Sequence, residues 1–348
     1  MSERIAVYAE GKLRVSDAKA AHGLIRYGQR EVCAVIDSTE AGRLANEVVP
    51  FVRRPVPVVE SVARAVEFGA TCLAIGIAPA GGKLPPIWKA ALLEALGAGL
   101  DIEAGLHDLL NADPDLLRAA AEHGGELRDL RVAPTDLSTP TGAGLAAPVR
   151  IVHTVATDCA VGKMTAALEL VDAARRAGEQ AVFVPTGQIG ISIAGWGIAV
   201  DHVISDYVAG AAERLVLEGA TRGDLLVVEG QGALHHPFYS GVTLGLLHGC
   251  TPHALLLVHE AGMDRIDLDE RVGPPILPFG QLCELLDLLC RPLRPAPVAA
   301  IALSTRRIAD DEAARAEIAR VERETGLVTD DPVRFGSDRL WQAVAAAL

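Results

Sequence analysis

Short apolar runs alternate along the first third of the chain with longer segments in which apolar residues recur at helical spacing. The predicted strands are residues 4–8, 32–37, 72–77 and 126–130, and the predicted helices are residues 17–27, 59–68, 86–98 and 113–122. This alternation predicts a Rossmann-like α/β domain. The first strand is followed by a single glycine, Gly11, rather than by the three glycines of the dinucleotide fingerprint, so a dinucleotide site is not expected there.

The second half continues the same alternation after a break rich in proline and glycine at residues 131–148. Strands are predicted at 149–155, 180–185, 225–228 and 255–260, helices at 166–178 and 338–348, and a glycine-rich turn at 187–195. We therefore predict an α/β protein with a Rossmann-like N-terminal domain at residues 1–133 and a linker at 134–149. A P-loop NTPase-like domain with a mainly parallel sheet is predicted at 150–348.

The segment between the strand at 149–155 and the next helix has the layout of a phosphate-binding loop, with Gly162 and Lys163 at its end. Backbone amides and the helix N-terminus attract an anion, and Lys163 adds a full charge. Thr157 stands where the first glycine of G-x-x-x-x-G-K-[ST] belongs, and Met164 stands where the magnesium-binding hydroxyl belongs. The loop is therefore expected to hold phosphate and to be poor at ATP hydrolysis. The residues predicted to bind the phosphate-bearing ligand are Thr157, Asp158, Cys159, Ala160, Val161, Gly162, Lys163, Met164 and Thr165.

A candidate catalytic group follows the apolar run at 225–228. Glu229 occupies the position where such folds place a magnesium ligand or a general base, although an ordinary acidic strand end is the alternative. Gln231 is a candidate oxyanion donor, and His236 is a candidate acid–base group with His235 as its rival. The residues predicted to contact substrate are Gln188, Gly81, Gly82, Tyr239 and Ser240. The Gly81–Gly82 loop is expected to close over the site, and a turn before a proline-started helix is the alternative.

Composition narrows the class of protein. The formal charge is −13, which argues against a nucleic-acid partner. Half of the residues are apolar but only 4% are aromatic, so the core is expected to be aliphatic, as in parallel sheets covered by helices. The six cysteines show no metal-type pairing, so we expect reduced thiols and no metal site. Cys159 in the loop is either a small filling residue or a thiol activated by the helix N-terminus. With no apolar leader or spanning segment, we expect a cytoplasmic protein without membrane partners. Homo-oligomerisation is expected from the aliphatic composition alone.

Several motifs together resemble a bacterial and archaeal domain-of-unknown-function family that includes D-glutamate N-acetyltransferase. The resemblance is specific over residues 150–265 and weaker over the first domain. It rests on residues 156–165, 186–188, 229–232, 236–237, 241–249 and 259–260. The family often carries the label of an NAD-dependent epimerase, which the missing fingerprint does not support here. Its phosphate loop is similar to that of dethiobiotin synthetase.

The resemblance implies acetyl transfer from acetyl-CoA, as co-substrate, to the amino group of D-glutamate, in D-amino-acid catabolism. The loop would hold CoA phosphates without hydrolysis, and Glu229 or His236 would deprotonate the acceptor. The family commonly has glycine at Ala156 and an aromatic residue at His235, and the second difference leaves the acceptor amino acid open. The alternatives are a Mg-ATP-dependent carboxylate ligase or kinase and a nucleotide-binding regulator.

Overall fold

Two six-stranded parallel sheets organise the computed structural model, which describes residues 3–77, 82–268 and 271–348. Each sheet belongs to a separate unit of the chain. The first unit contains Met1–Val132 together with Gln188–Ala199, and the second contains Ala133–Gly187 together with Val200–Leu348. The predicted α/β class is confirmed, and the predicted end of the N-terminal domain lies next to the end of the first segment.

The first unit has the doubly wound arrangement of a Rossmann-like domain. Its sheet order is β3-β2-β1-β4-β5-β6, and every neighbouring pair is parallel. The elements are β1 (Arg4–Tyr8), α1 (Lys19–Tyr27), β2 (Glu31–Ile36), α2 (Ala45–Val48), β3 (Val58–Val59), α3 (Val62–Glu67), β4 (Cys72–Ile75), α4 (Pro86–Gly97), β5 (Asp101–Ala104), α5 (Pro114–His123) and β6 (Leu127–Asp129). Its core is aliphatic, as the composition predicts.

The strand β5 was not predicted, because its apolar residues alternate with charged ones. Ile102 is fully buried, yet Glu103 beside it is also buried. The Glu103 carboxylate accepts two hydrogen bonds from the Arg30 guanidinium, each 2.8 Å long. A partner distant in sequence therefore makes this strand possible, and local periodicity does not reveal it.

The second unit begins at the predicted phosphate loop. Its elements are β7 (Arg150–Ala156), α6 (Lys163–Arg176), β8 (Ala181–Val184), α8 (Val208–Gly219), β9 (Leu225–Val228), α9 (Ser240–Cys250), β10 (Ala254–Glu260), β11 (Arg265–Leu268), β12 (Arg271–Pro275), α10 (Phe279–Cys290), β13 (Val298–Ser304), α11 (Asp311–Thr325), β14 (Val328–Asp330) and α12 (Asp338–Ala345). The strands β11 and β12 form an antiparallel hairpin of their own.

The helix α7 (Gln188–Ala194) overturns one prediction. The glycine-rich turn predicted at 187–195 is wrong, because most of this segment is helical. The segment falls within residues 150–348, which the sequence predicts as one domain, and it packs with the first unit. The backbone carbonyl of Ser192 accepts a hydrogen bond from Arg30 at 2.8 Å, and Ile193 is buried. Tertiary packing therefore overrides the low helix propensity of the glycine and isoleucine residues.

The second sheet places the phosphate loop near its centre. The strand order is β14-β13-β10-β7-β9-β8, and every neighbouring pair is parallel. The carboxyl ends of all six strands therefore meet at one edge, where ligands bind in open α/β sheets. Residues that follow β7, β9, β10 and β8 come together at this edge.

None of the helices in the described part of the chain combines the length and the apolarity needed to cross a bilayer.

Candidate functional site

The loop between β7 and α6 is shaped by two residues in the left-handed backbone region. Gly162 has φ +110° at the start of α6, and Ala160 has φ +54° despite its Cβ. The Thr157 hydroxyl lies 2.8 Å from His259 Nδ1 at the end of β10, which ties the loop to the neighbouring strand. Burial lowers the pKa of His259 to about 4, so this anchor is uncharged at neutral pH. The loop therefore has the fixed, amide-rich form that an anion site needs.

Lys163 is the first residue of α6 and is almost fully buried. Its ammonium donates a hydrogen bond of 2.8 Å to the Asp158 carbonyl oxygen. Burial lowers the pKa of Lys163 to about 8, although the charges of Cys159, Asp158 and Glu229 act in the opposite direction. A bound anion stabilises a buried ammonium group that lacks a full counter-ion, and a phosphate would supply this anion.

Glu229 is the buried carboxyl group of the site. It follows β9 directly, and its Oε2 atom accepts hydrogen bonds from the backbone amides of Thr186 at 2.9 Å and Gly187 at 3.1 Å. Burial raises the pKa of Glu229 to about 7, against the opposing effects of these amides and of the Lys163 charge. A carboxyl group with this pKa can accept a proton at neutral pH and release it again.

The end of β9 is held tightly against its neighbours. A Cβ on Gly230 would lie 1.7 Å from the backbone oxygen of Thr154, so only glycine fits at this position. The Gln231 amide nitrogen donates to the Thr186 carbonyl oxygen at 2.5 Å. In this structure Gln231 thus joins the ends of β8 and β9, which fixes the residues around Glu229.

His236 is buried, and its hydrogen bonds define which ring nitrogen carries the proton. The Phe238 backbone amide donates to Nδ1 at 3.1 Å, and Nε2 lies 3.7 Å from Asp158 Oδ1. Because a neutral imidazole has one N–H and Nδ1 accepts, we assign the proton to Nε2. His236 therefore presents a donor toward the loop.

Asp158, Cys159 and His236 form a cluster in which one carboxylate oxygen, one sulphur and one ring nitrogen lie within 4.8 Å of one another. These are the ligand types of a zinc site. A metal ion needs the lone pair of the imidazole nitrogen that faces it, and the bond from Phe238 leaves a proton on Nε2. Asp158 also accepts from the Asp267 backbone amide at 2.7 Å. These contacts occupy lone pairs that a metal ion would need, and the absence of a metal stays a prediction.

The remaining predicted contacts of this unit surround His236. The Tyr239 ring is half exposed and lies 4.8 Å from the imidazole, centroid to centroid. Ser240 begins α9 and donates its backbone amide to the His236 carbonyl oxygen. His235 is partly buried, and both of its ring nitrogens lack hydrogen-bond partners among the described residues. Burial lowers its pKa, while the Asp158 charge acts in the opposite direction.

The structure does not gather all the predicted substrate residues into one unit. Gln188 begins α7 in the first unit, where its side chain packs on Gly105. A Cβ on Gly105 would come within 1.9 Å of Gln188 Oε1, so Gly105 is needed for this packing. Gly82 also belongs to the first unit, has φ +62° and accepts from the His107 backbone amide at 2.8 Å. Gly81 lies outside the described residues.

Sequence reasoning gave no role to two residues that hold the site together, although both belong to the motifs of the family resemblance. Thr186 holds the Glu229 carboxylate with its amide and the Glu229 carbonyl oxygen with its hydroxyl, at 2.9 Å each. His259 contacts Thr157, although the two are more than one hundred residues apart. The sequence indicated only their positions: Thr186 follows β8 and His259 lies near the end of β10, and both strands end at the same edge of the sheet.

Two family models match the chain. One is described as a DUF1611_C P-loop domain of unknown function and matches residues 139–341. The other is described as a DUF1611_N Rossmann-like domain of unknown function and matches residues 38–133. Together they agree with the two folds that the sequence predicts.

Similar proteins include two curated relatives and one solved structure. A protein of Tritonibacter scottomollicae named D-glutamate N-acetyltransferase is 38% identical over 80% of this chain and 82% of its own length. A protein of the same name from a Pseudoalteromonas species is 40% identical over 57% of this chain and 59% of its own length. The crystal structure of a DUF1611 family protein from Anabaena variabilis has a TM-score of 0.92 at 38% identity and covers 99% of each chain.

Proposed function

Because this chain belongs to the DUF1611 family, and because its relatives are named D-glutamate N-acetyltransferase, we propose that it is an N-acetyltransferase acting on an acidic amino acid. The donor is acetyl-CoA, and the acceptor is the amino group of D-glutamate or a close relative of it. The observation that carries the proposal is Glu229, a buried carboxyl group with a pKa of about 7 beside a phosphate loop. This loop lacks the hydroxyl that binds magnesium at position 164.

The phosphate loop supplies binding rather than hydrolysis in this proposal. Its backbone amides, the N-terminus of α6 and Lys163 hold a CoA phosphate. Phosphate binding requires no metal ion, which agrees with Met164 at the position of the metal-binding hydroxyl. The flexible pantetheine arm then folds back toward the same sheet edge and brings the thioester to the end of β9.

Glu229 acts as the general base in the transfer. It takes a proton from the acceptor ammonium, and the free amine attacks the thioester carbonyl carbon. The C–N bond forms and the C–S bond breaks. The thiolate of CoA leaves and takes up the second proton of the amine. A base with a pKa near 7 suits this step because it is partly ionised at neutral pH and can return its proton to solvent.

His236 serves as a hydrogen-bond donor rather than as a second base. Its Nδ1 atom accepts a hydrogen bond from the Phe238 backbone amide, so the ring proton is on Nε2. Because Nε2 already carries a proton, it cannot take one from the acceptor. The Nε2–H group supplies a donor for the oxyanion of the tetrahedral intermediate. The Gln231 amide, bonded to the Thr186 carbonyl, positions the end of β9.

The proposal is tested by incubating the protein with acetyl-CoA and a panel of D- and L-amino acids, with and without EDTA, while free thiol is measured. We expect thiol release that requires an acidic amino acid and is unaffected by EDTA. The acetylated product is identified by mass spectrometry. Absence of release with every acceptor, together with magnesium-dependent ATP consumption, would contradict the proposal and favour a ligase or kinase. Nucleotide binding without any turnover would favour a regulator.

A further inference from the structure

Two arginines converge on one buried carboxylate at the carboxyl edge of the second sheet. Glu260 ends β10 and is fully buried. Its ion-pair partners are the guanidinium groups of Arg306 and Arg307. One arginine would neutralise Glu260. The second leaves an excess of one positive charge at this point.

Both guanidinium groups remain accessible to a ligand. The Arg306 and Arg307 side chains are 58% and 62% exposed, although they contact a carboxylate that is entirely buried. An arginine has five N–H donors, and a single carboxylate oxygen occupies few of them. The buried Glu260 thus holds two largely exposed guanidinium groups that have more N–H donors than Glu260 can use, and such groups recognise phosphate.

The backbone that carries the two arginines is fixed on both sides. The Asp331 carboxylate accepts from the Thr305 amide and hydroxyl, each at 2.7 Å, immediately before Arg306. The Arg334 guanidinium donates to the Ile308 carbonyl oxygen at 2.7 Å, immediately after Arg307. The loop is thereby held before any ligand binds, which lowers the entropic cost of binding.

The position of this arginine pair relative to the phosphate loop suggests which phosphate it binds. Arg306 and Arg307 follow β13, and β10 separates β13 from β7, whose end is the phosphate loop. Two strand spacings amount to about 10 Å. This is the scale of a ribose ring together with phosphate groups on its 3′ and 5′ oxygens.

We propose that Arg306 and Arg307, oriented by Glu260, bind the 3′-phosphate of CoA while the phosphate loop holds the 5′-diphosphate. This inference rests on the proposed function for the identity of the donor, and it explains how the site distinguishes CoA from nucleotides that lack a 3′-phosphate. The alternative is that both arginines only neutralise Glu260. That alternative predicts no preference for a ligand with a 3′-phosphate.

The test compares CoA with 3′-dephospho-CoA by isothermal titration calorimetry, and it requires no turnover. We expect the wild-type protein to bind CoA about ten- to a hundred-fold more tightly, as the loss of charge-assisted hydrogen bonds predicts. The triple variant Glu260→Gln, Arg306→Ala, Arg307→Ala removes the buried charge together with its partners and should bind both ligands equally. Arg307→Ala alone leaves one arginine to neutralise Glu260 and should show an intermediate preference.

Arg291→Ala provides the matched control. Arg291 is 64% exposed and pairs with Asp287 near the end of α10. Because α10 ends before β13 begins, Arg291 lies at the amino edge of the sheet, opposite to Arg306 and Arg307. This variant should keep the full preference for CoA. Equal binding of both ligands by the wild type would overturn the inference, and so would an unchanged preference in Arg307→Ala and the triple variant. A preference for CoA without acetyl transfer would refute the proposed function alone. Acetyl transfer without this preference would refute the inference alone.

Discussion

At the scale of single residues, burial rather than residue type gives the candidate site its chemistry. Glu229 and Lys163 would be permanently charged at neutral pH on the surface, yet burial moves the pKa of each toward neutrality, to about 7 and about 8. Burial is the largest cause of both pKa shifts, because it disfavours the charged form of each group. A base and an anion-binding cation therefore titrate close to the pH at which the protein would work.

The substitution Glu229→Gln tests the general base directly. The amide is similar in shape to the carboxyl group but cannot take up the proton of the acceptor. We expect kcat to fall by about 10²- to 10⁴-fold, with CoA binding retained. Steady-state kinetics and calorimetry measure the two quantities separately.

Glu213→Gln is the matched control for that substitution. Glu213 on α8 is also buried and accepts hydrogen bonds from the backbone amides of Thr141 and Gly144. Its replacement should lower the melting temperature and leave kcat unchanged per folded molecule. If Glu229→Gln likewise changed only stability, Glu229 would not be the base.

The pH dependence of kcat/KM follows from the same two groups. The rate should rise as pH passes about 7, because Glu229 must be ionised to accept a proton. It should fall above about 8, because neutral Lys163 no longer attracts phosphate. A bell-shaped profile with its maximum between these values is expected. In the variant Glu229→Gln the rise of the rate near pH 7 should disappear. CoA binding should still weaken above about pH 8, because Lys163 still loses its charge.

Residue types alone could identify these candidates but not their roles. Lys163 and Glu229 were predicted from the loop pattern and from an acid at a strand end. The sequence left Glu229 and His236 as equal candidates for the base. The hydrogen bond from the Phe238 amide to His236 Nδ1 distinguishes them, because it leaves the proton on Nε2.

At the scale of elements, the site is built where parallel strands end together. The loop after β7, Glu229 after β9 and Thr186 after β8 meet because all strands of the sheet run in the same direction. Close packing between β7 and β9 requires the glycine at position 230. A side chain there would force the two strand ends apart.

Gly230→Ala should therefore destabilise the second unit by about 3 kcal/mol. The added Cβ would lie 1.7 Å from the Thr154 backbone oxygen and 3.1 Å from Lys163 Cδ, so activity should fall as well. Gly280→Ala in α10 is the control, because a Cβ there meets no atom within 4 Å. Urea unfolding measures both variants. Equal stability of the two would show that β7 and β9 do not need this close approach.

The elements that were predicted have a local signal. The observed bounds of β1, α4, α6 and β9 lie within a few residues of the predicted ones. The strand β5, one of the strands that were not predicted, and the helix α7, predicted as a turn, share a cause. Their stability depends on Arg30, which is distant in sequence from both.

At the scale of the whole molecule, the chain passes between its two units more than once. It leaves the first unit after Val132, returns at Gln188 and leaves again after Ala199. Within the first unit, Arg30 bonds to Glu103 on β5 and to Ser192 on α7. This buried ion pair is therefore expected to hold the returning segment in place.

Glu103→Gln should destabilise the first unit by about 1 to 3 kcal/mol, because the Arg30 guanidinium loses its bidentate partner and keeps only the pair with Glu3. Hydrogen exchange of residues 188–194 should increase in this variant. Glu31→Gln is the control, since the pair of Glu31 with Arg4 is exposed and should contribute less than about 1 kcal/mol. Unchanged exchange in α7 would contradict the anchoring role of Arg30.

The alternation of strands and helices, the phosphate loop and the acid that follows β9 could be predicted from the amino-acid sequence. These features depend on local periodicity and on residues close together in the chain. The packing of α7 with the first unit, the burial of Glu229 and the pairing of Glu260 with two arginines could not be predicted in this way. These features arise from contacts between distant residues, because burial and partner charges exist only after the strands have assembled.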